Sequence, residues 1–200
     1  MASCVVVTAI ICVLLTTVAT IVAFATPNWL KFRDSSVDIA SSLCKCEKCD
    51  CGLWMKCAGS PAMDSASLDN CNTFFAQDNL IEKSLPDWFK AVQGLMSCAV
   101  ACALISLFIG LFSLCCSCKC CNPHQAAGAF INLTFLLLAA GVCVFGAKAH
   151  MDNRARVMAE ANTVDPLFSW SFWCAVGAAG MSLISSVLYF CVGRADDYSC

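Results

Sequence analysis

The chain divides by polarity into four apolar blocks, at about residues 4–25, 91–114, 126–149 and 166–192. Each is close to the roughly 20 residues a helix needs to cross a bilayer core. No water is available there to satisfy the backbone, so each block predicts a membrane-spanning helix. Between the blocks lie a long polar loop at about 26–90, a short connector at 115–125 and a second loop at 150–165, followed by a tail at 193–200. The first block has a rival reading as a signal peptide, because Ala23-Phe24-Ala25 resembles a cleavage site. It is longer than a usual signal core and no positive charge precedes it, so we read it as an uncleaved span. Pro27 ends it, lacking a backbone donor and turning Thr26 away from the helical region.

The long loop holds most of the charge, including nine acidic residues from Asp34 to Asp87. Trp29 to Phe32 and Val37 to Ile39 have the composition of short strands. Leu85-Pro86-Asp87-Trp88 reads as a turn into the second span, with Trp88 at the membrane interface. Ala139, Ala140, Gly141, Gly146 and Ala147 in the third block, and Gly177 to Gly180 in the fourth, predict close helix contacts. An aromatic cluster of Phe168, Trp170, Phe172 and Trp173 opens the fourth block.

Composition narrows the class. Apolar residues make up 60% of the chain and charged residues 13%, against about 25% charged in a soluble domain. The net charge of −2 offers no field to draw nucleic acid. No zincin, hydrolase-elbow, Walker or Rossmann motif occurs, and His124 and His150 are the only histidines, so neither an enzyme nor a cofactor is expected. No charge sits in the middle of a span, which argues against a transporter. Asn132-Leu133-Thr134 matches a glycosylation acceptor but falls inside the third span, where it would go unused.

Nineteen cysteines need more than one explanation. Six lie in the long loop: Cys44, Cys46, Cys49, Cys51, Cys57 and Cys71. Five lie in the connector: Cys115, Cys116, Cys118, Cys120 and Cys121. Cys200 ends the chain, and the rest accompany the apolar blocks, where cysteine behaves as a small hydrophobe. The run from Cys44 to Cys51 admits two further disulfides or a Cys4 zinc site; an oxidising space favours disulfides, so no metal is assigned. Six cysteines allow fifteen pairings. The connector cysteines are candidates for S-palmitoylation, with free thiols or zinc beside His124 as rivals.

A polar loop holds a tryptophan only if it folds to bury part of the ring. Trp29, then Gly52-Leu53-Trp54, Cys57 and Cys71, between a first and a second span, resemble the claudin family. The likeness covers nearly the whole chain. It includes Thr26-Pro27-Asn28-Trp29, the run from Leu85 to Met96, and cysteines just inside the second span. Three features depart from the vertebrate pattern. The Cys57–Cys71 spacing is longer, and four extra cysteines precede Gly52. Gln93 replaces an arginine that makes a helix-to-sheet contact, leaving Lys90 as the nearest substitute. Together they suggest a divergent, invertebrate-like member.

The resemblance implies a mainly α membrane protein, a left-handed four-helix transmembrane bundle carrying a small extracellular antiparallel β-sheet. The sheet would be built from the first loop and a strand of the second. It implies a Cys57–Cys71 disulfide, in keeping with the oxidising space assigned to the loop. It also implies cell–cell adhesion and a paracellular barrier or pore at tight junctions of the plasma membrane. The partners would be other claudin-like molecules, in cis and in trans, within the lipid bilayer. The alternative is an auxiliary subunit of an ion channel or receptor, as in the calcium-channel gamma branch of the superfamily. Asp64 and Asp69 are candidate pore charges, against the plainer reading of a solvated face.

Orientation draws opposing arguments. With the long loop outside, only Lys119 and Arg194 remain inside, while Lys148, Arg154 and Arg156 lie outside, against the positive-inside rule. The loop cysteines favour an oxidising exterior and the connector cysteines a reducing cytosol. The assignment adopted follows the cysteines.

Overall fold

In the first span, valine, isoleucine and threonine dominate, residues that are mediocre helix formers in water. Lipid reverses that preference, because only a helix satisfies every backbone group within the segment. The computed structural model describes residues 2–32, 49–58, 71–74, 85–115, 122–157 and 168–197. It shows α1 (Ala2–Ala25), α2 (Asp87–Cys115), α3 (Pro123–Val157) and α4 (Trp170–Asp197). All four are long and apolar enough to cross a membrane. The threonines of α1 do not bridge to neighbours. The hydroxyls of Thr16, Thr17 and Thr20 donate to the carbonyls of Cys12, Val13 and Thr16 of their own helix, so a buried polar stripe is satisfied locally.

The helices pack as a ring, α1 on α2, α2 on α3, α3 on α4 and α4 back on α1. Gly141 meets Met96 and Leu95 of α2, and Gly146 meets Phe172 of α4. The close contacts expected of residues 177–180 divide by side. Ala178 and Ala179 are buried, whereas Gly177 and Gly180 face open space.

Helix ends differ from the polarity boundaries in a consistent way. Pro86 O accepts from the amides of Phe89 and Lys90, starting α2 about four residues before the apolar run expected at 91. Asp87 in the first turn complements the helix dipole. Pro123, at the first helical position, starts α3 ahead of residue 126. That helix then runs past Ala149 to Val157, so half of the expected second loop is helical. Thirty-five residues extend about 52 Å, well beyond a core of about 30 Å. Nothing in Lys148 to Val157 breaks the hydrogen-bond ladder, so loss of apolar character is not loss of helix. For the same reason α4 continues to Asp197, into the expected tail, although it begins at Trp170 rather than Pro166.

Between α1 and α2 lie four short strands, β1 (Leu30–Phe32), β2 (Cys49–Cys51), β3 (Met55–Ala58) and β4 (Cys71–Thr73). They form one antiparallel sheet in chain order. β1 matches the strand expected at Trp29 to Phe32; Val37 to Ile39 lie outside the described residues. A single bridge between Leu30 and Phe168 adds the segment before α4 to the β1 edge. Cys57 and Cys71 are directly opposed in the β3–β4 register, and their sulfurs form the disulfide across a Cα separation of 4.0 Å.

Strands of three or four residues do not hold together alone. The cross-link closes a loop with a sequence separation of 14, worth about 3 kcal/mol in the chain-entropy view. Cys57→Ser is therefore expected to leave four inserted helices and a loosened β3–β4 pair. Limited proteolysis of membranes should show new cleavage around the sheet, with the helices still protected. Unchanged protection of the sheet would contradict this.

Candidate functional site: the sheet seated on the helix ends

Pro27 stops α1 and leaves its last carbonyls to be satisfied. Thr26 takes one of them, its amide and its hydroxyl both reaching Val22 O. The Thr26 and Ser171 hydroxyls lie 2.7 Å apart, linking the end of α1 to the start of α4. The indole N–H of Trp29 folds back to donate to Ala23 O at 2.7 Å.

The Trp29 ring is 0% exposed. It meets Phe145 of α3 at 4.8 Å and Phe172 of α4 at 6.0 Å, both edge-on. The cluster continues through Phe89 and Trp88 of α2, with Phe74 after β4 and Phe168 before α4. Rings from all these elements meet at one end of the bundle, mostly edge-to-face or tilted, with Phe168 stacked on Phe172. The backbone on either side of the ring is also committed. Trp29 N–H donates to Cys51 O, Ser169 N–H donates to Trp29 O, and Ser171 N–H donates to Asn28 O. One residue thus plugs the helix ends and joins the sheet to α4.

Gly52 sets how low the sheet sits. A Cβ there would lie 2.5 Å from Pro27 Cα and 2.7 Å from Thr26 O, both backbone atoms with no freedom to yield. The Gly52 amide donates to Met55 O and closes the β2–β3 turn directly on the end of α1. Leu53, at the turn, is fully buried. Its carbonyl accepts from Gln93 Nε2 at 2.6 Å. Gln93 therefore makes the helix-to-sheet contact itself, and Lys90, the substitute suggested by its charge, is exposed. A neutral amide serves because the acceptor is a neutral carbonyl, and burying it carries no charge-desolvation cost.

Trp54 is half-buried, packed against the edge of the core cluster. Its ring lies against Phe24 at 5.1 Å, and its carbonyl accepts from Phe74 N–H. Asn28 Nδ2 donates to Asp50 Oδ2 at 3.0 Å, adding a polar tie between the turn after α1 and β2. Cys49 and Cys51 are buried and each is disulfide-bonded. Cys44 and Cys46 lie outside the described residues, as do Asp64, Asp69, Cys116, Cys118, Cys120 and Cys121; Cys115 is the last residue of α2. Among the described residues no group of three or more metal-ligating side chains converges. Asn72 and Thr73 of β4 are exposed on the far edge of the sheet. The described residues form a small sheet tied to the helix ends at several points, with polar side chains on its exposed edge.

Three substitutions test this seat. Trp29→Ala removes a fully buried ring, for which about 3–5 kcal/mol is typical, and Trp54→Ala is expected to cost clearly less. Thermal unfolding of the purified protein, followed by tryptophan fluorescence, should rank them in that order. Gly52→Ala is expected to lift the sheet from Pro27 at a cost of about 1–3 kcal/mol. Protease sensitivity of the sheet is the readout, and a wild-type cleavage pattern would contradict the close approach.

The family description PMP-22/EMP/MP20/Claudin tight junction matches residues 4–191. A search of curated proteins returned no match. The matched range runs from the start of α1 nearly to the end of α4 and takes in the sheet. This multi-pass membrane protein belongs to the PMP-22/EMP/MP20/claudin family.

Proposed function

We propose that this protein is a structural component of cell junctions. In this reading its sheet faces the extracellular space and binds claudin-like molecules on the same and the opposing cell, forming a paracellular barrier or pore. The observation that carries the reading is the bolted sheet. Trp29, Gly52 and Gln93 fix a small polar platform rigidly at one end of a membrane bundle. A rigid platform loses little conformational freedom when it meets a partner, which favours association. Family membership supports the same assignment. The role is one of assembly, not catalysis.

The disulfides support the orientation. Cys57, Cys71, Cys49 and Cys51 are all oxidised and all belong to the sheet, as suits an oxidising compartment. Lys148 and the arginines near the end of α3 then lie outside, against the usual charge bias. A tag at either terminus of the chain in the plasma membrane is expected to be reached by antibody only after permeabilisation. Labelling of intact cells would reverse the topology.

Expression in cells that lack junction strands tests the function. Gathering of the protein at cell contacts with strand assembly is the expected result. Uniform distribution at contacts together with co-purification of an ion channel would instead support an auxiliary-subunit role.

A further inference from the structure

Asn132 differs from the Tyr189 hydroxyl and His124 Nδ1, which also lack a partner among the described residues but are buried atoms inside the bundle, in being half-exposed on the outside of its span. It lies nine residues beyond Pro123 in the third span, about 13 Å along the helix axis and within the hydrocarbon depth. Its near neighbours in type satisfy themselves. Thr134 donates to Phe130 O, and Ser182 and Ser185 donate to Ala179 O and Met181 O. Asn132 is half-exposed, and its side chain makes no hydrogen bond within the described residues. Acyl chains offer it neither donor nor acceptor, so an amide with two N–H groups and a carbonyl is left unsatisfied at a site without water.

The position of the residue shows what could satisfy it. Ala129, Asn132, Leu136, Ala139 and Cys143 recur at alternating steps of three and four, and every one is exposed or half-exposed. That is the spacing of a helix-pairing seam, and its small side chains permit close backbone approach. Copies of one chain insert in the same direction, so Asn132 on each lies at the same depth. The amide is self-complementary: each copy can donate its N–H to the other's carbonyl under two-fold symmetry. We propose that two copies of this chain pair within the membrane along this face of α3, with their Asn132 amides hydrogen-bonded to each other. The pairing rests on the association between molecules of the same cell in the junction reading and deepens it, placing one such contact on α3 within the bilayer rather than on the sheet.

The test uses full-length chains carrying donor and acceptor fluorophores, reconstituted in phosphatidylcholine vesicles at varied protein-to-lipid ratio. The parent is expected to show energy transfer that rises with density above the random-encounter level. Asn132→Leu is expected to weaken association by about three- to thirty-fold, in line with interhelical hydrogen bonds in membranes. Asn132→Gln, which keeps the amide, is expected to retain most of it. Ala129→Phe adds bulk at an exposed seam position without touching the amide and is also expected to lower association. This second variant keeps the test decisive if Asn132→Leu fails to fold. Parent-like transfer in Asn132→Leu, an equal loss in Asn132→Gln, or no effect of Ala129→Phe would each overturn the pairing. Gathering at cell contacts is scored separately. A variant that loses vesicle pairing yet still gathers would leave the junction role standing.

Discussion

The sheet is held to the bundle by the burial of one indole ring. Trp29 sits where α1 ends and α3 and α4 come together, enclosed by Phe145 and Phe172 with its N–H on Ala23 O. The constraint is geometric as much as apolar. The indole needs an acceptor once buried, and the end of a helix supplies carbonyls that have no partner in the next turn. Pro27 creates that end, and the ring uses it. Because the Trp29 backbone also bonds to β2 and to Ser169, moving the ring would displace the sheet and the entry to α4 together.

Two different physical regimes meet at this point. Below it, lipid enforces helicity, and the buried threonine hydroxyls return to carbonyls of their own helix, while Ser106 reaches Ala127 O of the next. Above it, strands of three and four residues lie in a setting where water competes for every hydrogen bond. Covalent links offset that competition. Cys57–Cys71 joins the last two strands face to face, and Cys49 and Cys51, both buried and disulfide-bonded, belong to the strand between β1 and β3. The cap is therefore cohesive through sulfur and attached through aromatic packing. These are separate terms, so loosening one need not release the other.

Close approach matters as much as contact area. Gly52 lets the β2–β3 turn rest on Pro27 at a separation no side chain would permit. Leu53 can then enter the core, with its carbonyl met by Gln93 from α2. The same economy of size recurs between helices at Gly141 and Gly146. It also recurs on the outward face of α3 at Ala129 and Ala139, which are exposed or half-exposed among the described residues.

The sequence by itself determined the number of spans, the α-helical class and the identity of the critical stretch. These follow from solvent: runs of about 20 apolar residues have one stable form in lipid, and a tryptophan in a polar loop must be covered. It also placed β1 and the start of α2 to within a few residues. It could not locate β2, β3 and β4, whose residues Cys-Asp-Cys, Met-Lys-Cys-Ala and Cys-Asn-Thr are too few for any alternation to stand out from the loop around them. Those strands exist because they are cross-linked and seated, which are long-range conditions. It ended α3 and α4 too early, because polarity marks where lipid stops and not where the helix stops. Only the tertiary structure distinguished Trp29 as the enclosed ring from Trp54 as the half-buried one. Only it assigned the sheet contact to Gln93 instead of Lys90. Both outcomes depend on how the helix ends pack, since Trp29 is enclosed by rings of α3 and α4 while Gln93 reaches the Leu53 carbonyl from α2.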